Sequence, residues 1–133
     1  MVCIYCIQNT QVVNSRPQKR TNTVWRRRKC LTCDAVFSTI EQVDLTAALR
    51  VRRKMQLEAF ARDLLLLSIY DSLRHRESAI SDATALTATV IARLNPFIEH
   101  AVIDREHIVT AAHDVLSHFD VAAATHYAAF HSR

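Results

Sequence analysis

The sequence predicts an α+β protein, with a small antiparallel β unit at the N-terminus and a mainly helical unit after it. Three observations point there. All four cysteines fall in two Cys-x-x-Cys steps, Cys3-Ile4-Tyr5-Cys6 and Cys30-Leu31-Thr32-Cys33. Charge is divided: residues 1–54 carry eleven Lys/Arg against three acids, a formal +8, whereas residues 55–133 hold six against ten, a formal −4. The apolar pattern also changes, from short β-branched runs in the first part to helical spacing in the second.

Two residues between cysteines let both sulfurs of a tight knuckle reach one ion, and two knuckles complete a tetrahedral site. Cys3, Cys6, Cys30 and Cys33 are therefore expected to hold one structural Zn²⁺. The competing reading is disulfides or redox dithiols in a small secreted protein. Against it, Cys3 and Tyr5 stand where the apolar stretch of a signal peptide would begin. A thioredoxin-like step would also be expected once, within a βαβ unit.

A unit this short buries too little apolar surface to fold on hydrophobicity alone. Structural Zn²⁺ supplies on the order of 10 kcal/mol. Between the knuckles two strands are expected, Thr10–Asn14 and Thr21–Arg27, with a turn at Arg16-Pro17-Gln18-Lys19-Arg20 because proline cannot donate a ladder bond. Ala35-Val36-Phe37-Ser38-Thr39-Ile40 is β-branched and aromatic and should close the sheet. Zinc knuckles often place glycine after the second cysteine, where φ is positive. This chain has no glycine. Asp34 suits that conformation moderately well and Ile7 poorly.

Trp25-Arg26-Arg27-Arg28-Lys29 runs directly into the second knuckle. On a strand, Arg26 and Arg28 share one face and Trp25, Arg27 and Lys29 the other. Such a run is either a solvated edge that discourages strand pairing or a set of phosphate contacts, with Arg16, Lys19 and Arg20 beside it. Trp25 is either a platform for a base or sugar or a core plug for the small sheet. The nucleic-acid set expected is Arg16, Arg26, Arg27, Arg28 and Lys29.

Taken in order, Cys3-x-x-Cys6, Asn14-Ser15-Arg16-Pro17, Arg26-Arg27-Arg28-Lys29-Cys30-Leu31-Thr32-Cys33 and Phe37-Ser38-Thr39-Ile40-Glu41 resemble the bacterial repressor family NrdR. The resemblance implies a zinc ribbon at 1–45 that binds double-stranded DNA and an ATP-cone-like domain at 46–133. It also implies repression of ribonucleotide reductase operons, with ATP and dATP sensed through changes in oligomeric state. Val51-Arg52-Arg53 falls on the family's Val-Lys-Lys or Val-Lys-Arg strand, and Leu57-Glu58-Ala59-Phe60 on its Arg-Glu-Pro-Phe. Phe119-Asp120, Ala123 and Tyr127-Ala128-Ala129-Phe130 fall on its C-terminal pattern. The nucleotide residues so implied are Arg52, Arg53, Lys54 and Glu58. Two departures count against an adenine nucleotide effector: Met55 stands where the family has the glycine of an Asp-Gly turn, and Leu64 where it has a lysine. Nucleotide binding is thus expected to be weak, altered or absent, unless Arg52 to Lys54 compensate.

In the second part Leu57, Phe60, Ala61, Leu64, Leu67 and Ser68 trace one helical face, widened by Leu65, Leu66 and Ile69. So wide an apolar surface suits a central helix or a contact between copies, and a homo-oligomer is expected. A second helix should start at Ser81 or Asp82, carry Leu86, Thr87, Val90, Ile91 and Leu94 inward, and stop at Asn95-Pro96. A third should start at Asp104, with Ile108, Ala111, Ala112, Val115, Leu116 and Phe119 inward. Asp120 should cap a last helix with Ala123, Ala124, Tyr127 and Ala128 inward. Leu49–Arg53 is the one plausible strand here.

All seven histidines lie in this half. None pairs with another at ligand spacing on one helix, so solvated or capping roles are expected of them. No nucleophile elbow, paired-carboxylate motif or Gly-rich phosphate loop appears, and no enzyme is expected. No apolar run reaches membrane-spanning length, since Leu64–Leu67 is flanked by Asp63, Ser68 and Asp71. Reduced cysteines place the chain in the cytoplasm. The leading reading is a zinc-dependent DNA-binding regulator of NrdR type. The alternatives are a zinc-ribbon module that binds RNA or protein with nucleotide sensing lost, and a nucleotide-sensing cone without a defined operator.

Overall fold

The computed structural model describes residues 1–131 and divides the chain into two compact units, Met1–Val43 and a second beginning at Asp44. No helix among the described residues is long and apolar enough to cross a membrane. The first unit is a three-stranded antiparallel sheet of β1 (Thr10–Gln18), β2 (Thr23–Cys30) and β3 (Val36–Gln42), with β2 central. The expected turn at Pro17 is displaced. Pro17 lies within β1 opposite Val24, and the chain reverses over Lys19 to Asn22. β1 is an edge strand, where a residue without an N–H is tolerated on the side facing away from the sheet. Asn22 adopts φ 50° in the reversal, a conformation asparagine accepts more readily than most residues.

Register sorts this sheet into two faces. One carries the cross-strand rungs Ser15–Arg26–Thr39 and Val12–Arg28–Phe37, and its members on β2 and β3 are mostly half-buried. The other carries Arg16–Trp25–Ile40 and Asn14–Arg27–Ser38, most of them exposed. A β-bulge between Val12 and Asn14 separates the two ends of β1.

The second unit opens with a single helical turn, α1 (Leu45–Ala48), capped by Asp44, whose carboxylate accepts from the Thr46 and Ala47 N–H groups. Then come β4 (Arg50–Arg53), β5 (Gln56–Ala59), α2 (Arg62–Leu73), α3 (Ala79–Leu94), β6 (Val102–Asp104), α4 (Arg105–Phe119) and α5 (Val121–Phe130). β4 pairs antiparallel with β5 and parallel with β6. The expectation of a lone strand near 49–53 is corrected, because β5 and β6 flank it. The helices pack α2 on α3 and α5, and α4 on α3 and α5. One core joins Leu49, Phe60, Ile69, Leu73, Val90, Leu94, Ile103, Leu116 and Tyr127.

The first helix face also needs correction. Leu57 is on β5, Phe60 precedes the helix, and α2 buries Leu65, Ile69, Ser72 and Leu73. Leu64 and Leu67 point outward, 68% and 55% exposed. α3 starts at Ala79 and buries Ala79, Ala83, Thr87, Val90 and Leu94, with Leu86 and Ile91 partly buried. Asn95–Phe97 turns off its end as a short 3-10 segment around Pro96, as a proline stop requires. α4 begins after Asp104 as expected, but the Asp104 carboxylate bonds Arg52 at 3.1 Å and makes no cap. Phe119 and Ala128, expected inward, are exposed.

Candidate metal centre and nucleic-acid interface

Both knuckles of the first unit are built alike. The Cys3 N–H donates to the Gln8 carbonyl at 2.8 Å, and the Cys30 N–H donates to the Ala35 carbonyl at 2.9 Å, five residues on in each case. Two residues after the first cysteine of each knuckle, a backbone N–H meets its sulfur: Tyr5 to Cys3 Sγ at 3.5 Å and Thr32 to Cys30 Sγ at 3.4 Å. The residue after each second cysteine takes positive φ, 61° at Ile7 and 57° at Asp34. Without glycine, the chain accepts left-handed backbone at a β-branched residue, at a cost of about 1–2 kcal/mol.

The four sulfurs lie within 4.8 Å of one another. Cys3 Sγ is 3.7 Å from Cys33 Sγ, and Cys6 Sγ is 3.4 Å from Cys30 Sγ and 3.5 Å from Cys33 Sγ. A tetrahedron with Zn–S bonds of about 2.3 Å has edges of about 3.8 Å, so the spacing fits one Zn²⁺. None of the four is in a disulfide. Cys3 and Cys30 are buried, Cys6 is half-buried and Cys33 is exposed. Backbone N–H groups of Cys33 and Thr32 draw the Cys30 thiol down to about 6. Cys6 goes the other way: the Gln8 N–H pulls it down, but the Cys30 sulfur, burial and the sulfurs of Cys33 and Cys3 together hold it at about 12. A divalent cation held here would replace these sulfur–sulfur contacts with four thiolate bonds.

The five cations expected at a nucleic-acid surface are divided between the two faces of the sheet. Arg26 bonds Glu41 at 2.9 Å and Ser15 at 3.3 Å. Arg28 donates from Nε to Thr39 Oγ1 at 3.3 Å, so both Arg26 and Arg28 are engaged on the half-buried face. On the exposed face Lys29 bonds Asp34 at 2.8 Å, while Arg16 lies over the Trp25 ring, its guanidinium carbon 5.9 Å from the centroid. Among the described residues, neither Arg16 nor Arg27 forms an ion pair. Glu41 reaches Arg26 only through strand register, and Asp34 reaches Lys29 only through the fold of the second knuckle.

Of the four nucleotide candidates, Arg52 alone lines either of the two cavities described here. Arg52 is held by Asp104 and borders a cavity of about 320 Å³ with Phe97, Glu99 and His107. Arg53, Lys54 and Glu58 are absent from its lining. Lys54 and Met55 form the two-residue turn between β4 and β5, with Lys54 at φ 55° and Met55 98% exposed. Glu58 sits opposite Val51, on the face that alternation gives to Arg53 and denies to Arg52. Asp104, read from the sequence as a helix start, carries no local signal of its pairing with Arg52. Of the histidines, His75, His126 and His131 line an open groove of about 880 Å³ with Leu64, Leu67 and Phe130. Apart from the four cysteines, no cluster suited to a metal occurs among the described residues.

Residues 1–41 match the family described as "Transcriptional repressor NrdR-like, N-terminal domain". A "Transcriptional repressor NrdR" of Afipia carboxidovorans is 32% identical over 120 residues, covering 90% of this chain and 75% of the relative. The chain belongs to the NrdR family. The NrdR of Rhodopseudomonas palustris is 31% identical over 90% of the chain and 74% of its own length. That of Latilactobacillus sakei is 30% identical over 77% and 66% respectively. These NrdR relatives are named as repressors, and the cysteine cluster gives this member of the family its zinc centre.

Proposed function

We propose that this protein is a zinc-dependent, DNA-binding repressor of ribonucleotide reductase genes. One observation carries the reading: β2 presents Arg26, Arg27, Arg28 and Lys29 in succession and ends on the buried Cys30. The metal ligand and the cations share eight residues of one strand, so whatever fixes the sulfurs fixes the cations. Cys3, Cys6, Cys30 and Cys33 hold one Zn²⁺, which supplies the folding free energy that a unit of this size lacks. The contacts to double-stranded DNA come from among Arg16, Arg26, Arg27, Arg28 and Lys29. The second unit brings copies together, so that paired ribbons meet repeated half-sites.

The test is a titration of zinc-loaded protein against a labelled duplex over a range of salt. Affinity should fall with a log–log slope of about −0.9 per phosphate neutralised, and chelation of the metal should abolish binding. Binding that persists unchanged after zinc removal would sink the reading, as would none at low salt. A protein-binding ribbon is the rival that one observation favours: Ile4, Tyr5 and Leu31 on the knuckles are 64%, 69% and 63% exposed. Absence of DNA binding together with capture of a defined protein would favour it.

A further inference from the structure

Trp25 is the chain's single tryptophan, and β-sheet alternation sets it on the face that Arg26 and Arg28 do not occupy. Its rung places Arg16 on one side and Ile40, 67% exposed, on the other. On the same face this rung is flanked by Asn14–Arg27–Ser38 on one side and Gln18–Thr23–Gln42 on the other. These three rungs contain two arginines, no carboxylate and a row of amide and hydroxyl side chains. The opposite face also carries two arginines, Arg26 and Arg28, but both are engaged. There Glu41 neutralises Arg26, Thr39 occupies Arg28, and Val24, Phe37 and Thr39 are half-buried. Arg16 over the Trp25 ring is also pre-oriented, since the ring restricts a side chain that would otherwise lose rotamer freedom on binding.

From this asymmetry we infer that the ribbon meets duplex DNA with its Trp25 face, the indole packing on sugar and base edges between phosphates held by Arg16 and Arg27. This rests on the DNA-binding reading above and narrows it to one face and one aromatic contact. Arg26 and Arg28 then act behind the interface, holding the sheet through Glu41 and Thr39. A three-stranded sheet presented to a groove is an established way for strands to reach bases. The planar apolar side chain with cations beside it is what a sugar–base surface flanked by phosphates fits.

The lone tryptophan provides its own probe. Zinc-loaded full-length protein is titrated with a fluorescein-labelled mixed-sequence duplex, and anisotropy of the label is recorded beside unlabelled-duplex titrations of Trp25 emission and its quenching by acrylamide. The expected result is a change in Trp25 emission that tracks the anisotropy isotherm, with marked protection from acrylamide. Trp25→Ala should weaken binding about ten-fold, with Trp25→Phe recovering much of it at unchanged zinc content. Binding by anisotropy with unaltered Trp25 emission and accessibility overturns the face assignment and leaves the DNA-binding reading standing. No binding at low salt overturns both. Should Trp25→Ala lose its zinc, wild-type emission and Trp25→Phe decide the matter.

Discussion

At the residue scale, the cysteines and the arginines differ in how much of their role a sequence can carry. Each Cys-x-x-Cys step is local, and the tetrahedral chemistry leaves little choice of arrangement once two steps are present. Metal analysis of protein purified without chelator should therefore find about one zinc per chain. Cys30→Ser should lose it and unfold the first unit, while the far-UV helical signal of the second stays largely intact. Disulfides without metal would overturn this. The arginine run was legible as charge, and alternation divided it correctly between faces. Which of its members are engaged was not legible, because Glu41 and Asp34 reach Arg26 and Lys29 only through register and knuckle geometry.

At the scale of elements, α2 shows why an apolar run can mislead. Four leucines in succession, Leu64–Leu67, fit several helical phases, and the burial of Leu65, Ile69 and Leu73 selects one. Leu65→Ala should destabilise the second unit by about 2–5 kcal/mol. Leu64→Ala should stay within about 0.5 kcal/mol, and equal effects in denaturant titrations would refute the observed phase. β5 carries no strand signal because Gln56-Leu57-Glu58-Ala59 buries none of its residues and is rich in helix-forming ones, while three-residue β6 offers no period at all. In contrast, α3 and α5 were readable from Asn95-Pro96 and from Asp120, whose side chain accepts from the Ala123 N–H.

Asp120 does more than cap. It also bonds His75 at 3.0 Å and Arg76 at 3.2 Å, while Arg76 reaches Asp82 and lies over the Phe119 ring. The α2–α3 connection is thereby tied to the α4–α5 junction. The Ala123 N–H, then His75 and Arg76, hold the carboxyl down at about 2. A carboxyl lowered on folding stabilises above its unfolded value and loses that contribution as the pH falls through its folded one. Wild-type stability should accordingly drop between about pH 4 and pH 2. Asp120→Asn should cost on the order of 1–2 kcal/mol near neutrality and flatten that part of the profile. An unchanged acid limb in the variant would show that other carboxyls govern it.

For the whole molecule, membership of the NrdR family does not fix which effector it answers to. Leu64, Leu67, Val121 and Phe130 are exposed on the second unit at 55–74%, more apolar surface than scattered single residues would present. Light scattering at tens of micromolar should show a homo-oligomer, and Leu67→Glu should shift it toward monomer. A wild-type chain that is strictly monomeric counts against the proposal. For nucleotides, Arg52 is engaged by Asp104 and the β4–β5 turn is Lys54-Met55. Loss of one charge-assisted phosphate contact weakens binding by about one to two decades. Calorimetry with ATP and dATP should accordingly find weak binding or none, and a micromolar dissociation constant for either would reverse that expectation.

Among the described residues of this glycine-free chain, six hold left-handed backbone: Ile7, Asn22, Asp34, Lys54, His100 and Ala101. The consequence lies as much in the denatured ensemble as in the native fold. A chain without glycine wanders less when unfolded, so each turn forfeits less freedom on forming, an effect of about 0.4–1 kcal/mol per site. That offsets part of the local steric cost, leaving the two nearly balanced where the side chain tolerates the conformation. The residual should be largest at Ile7, which is β-branched and 75% exposed, and smallest at Asp34. Chemical denaturation should thus rank Ile7→Gly as the more stabilising replacement and Asp34→Gly as close to neutral. The reverse order would mean that the turns of this protein are governed by native contacts rather than by the breadth of its unfolded state.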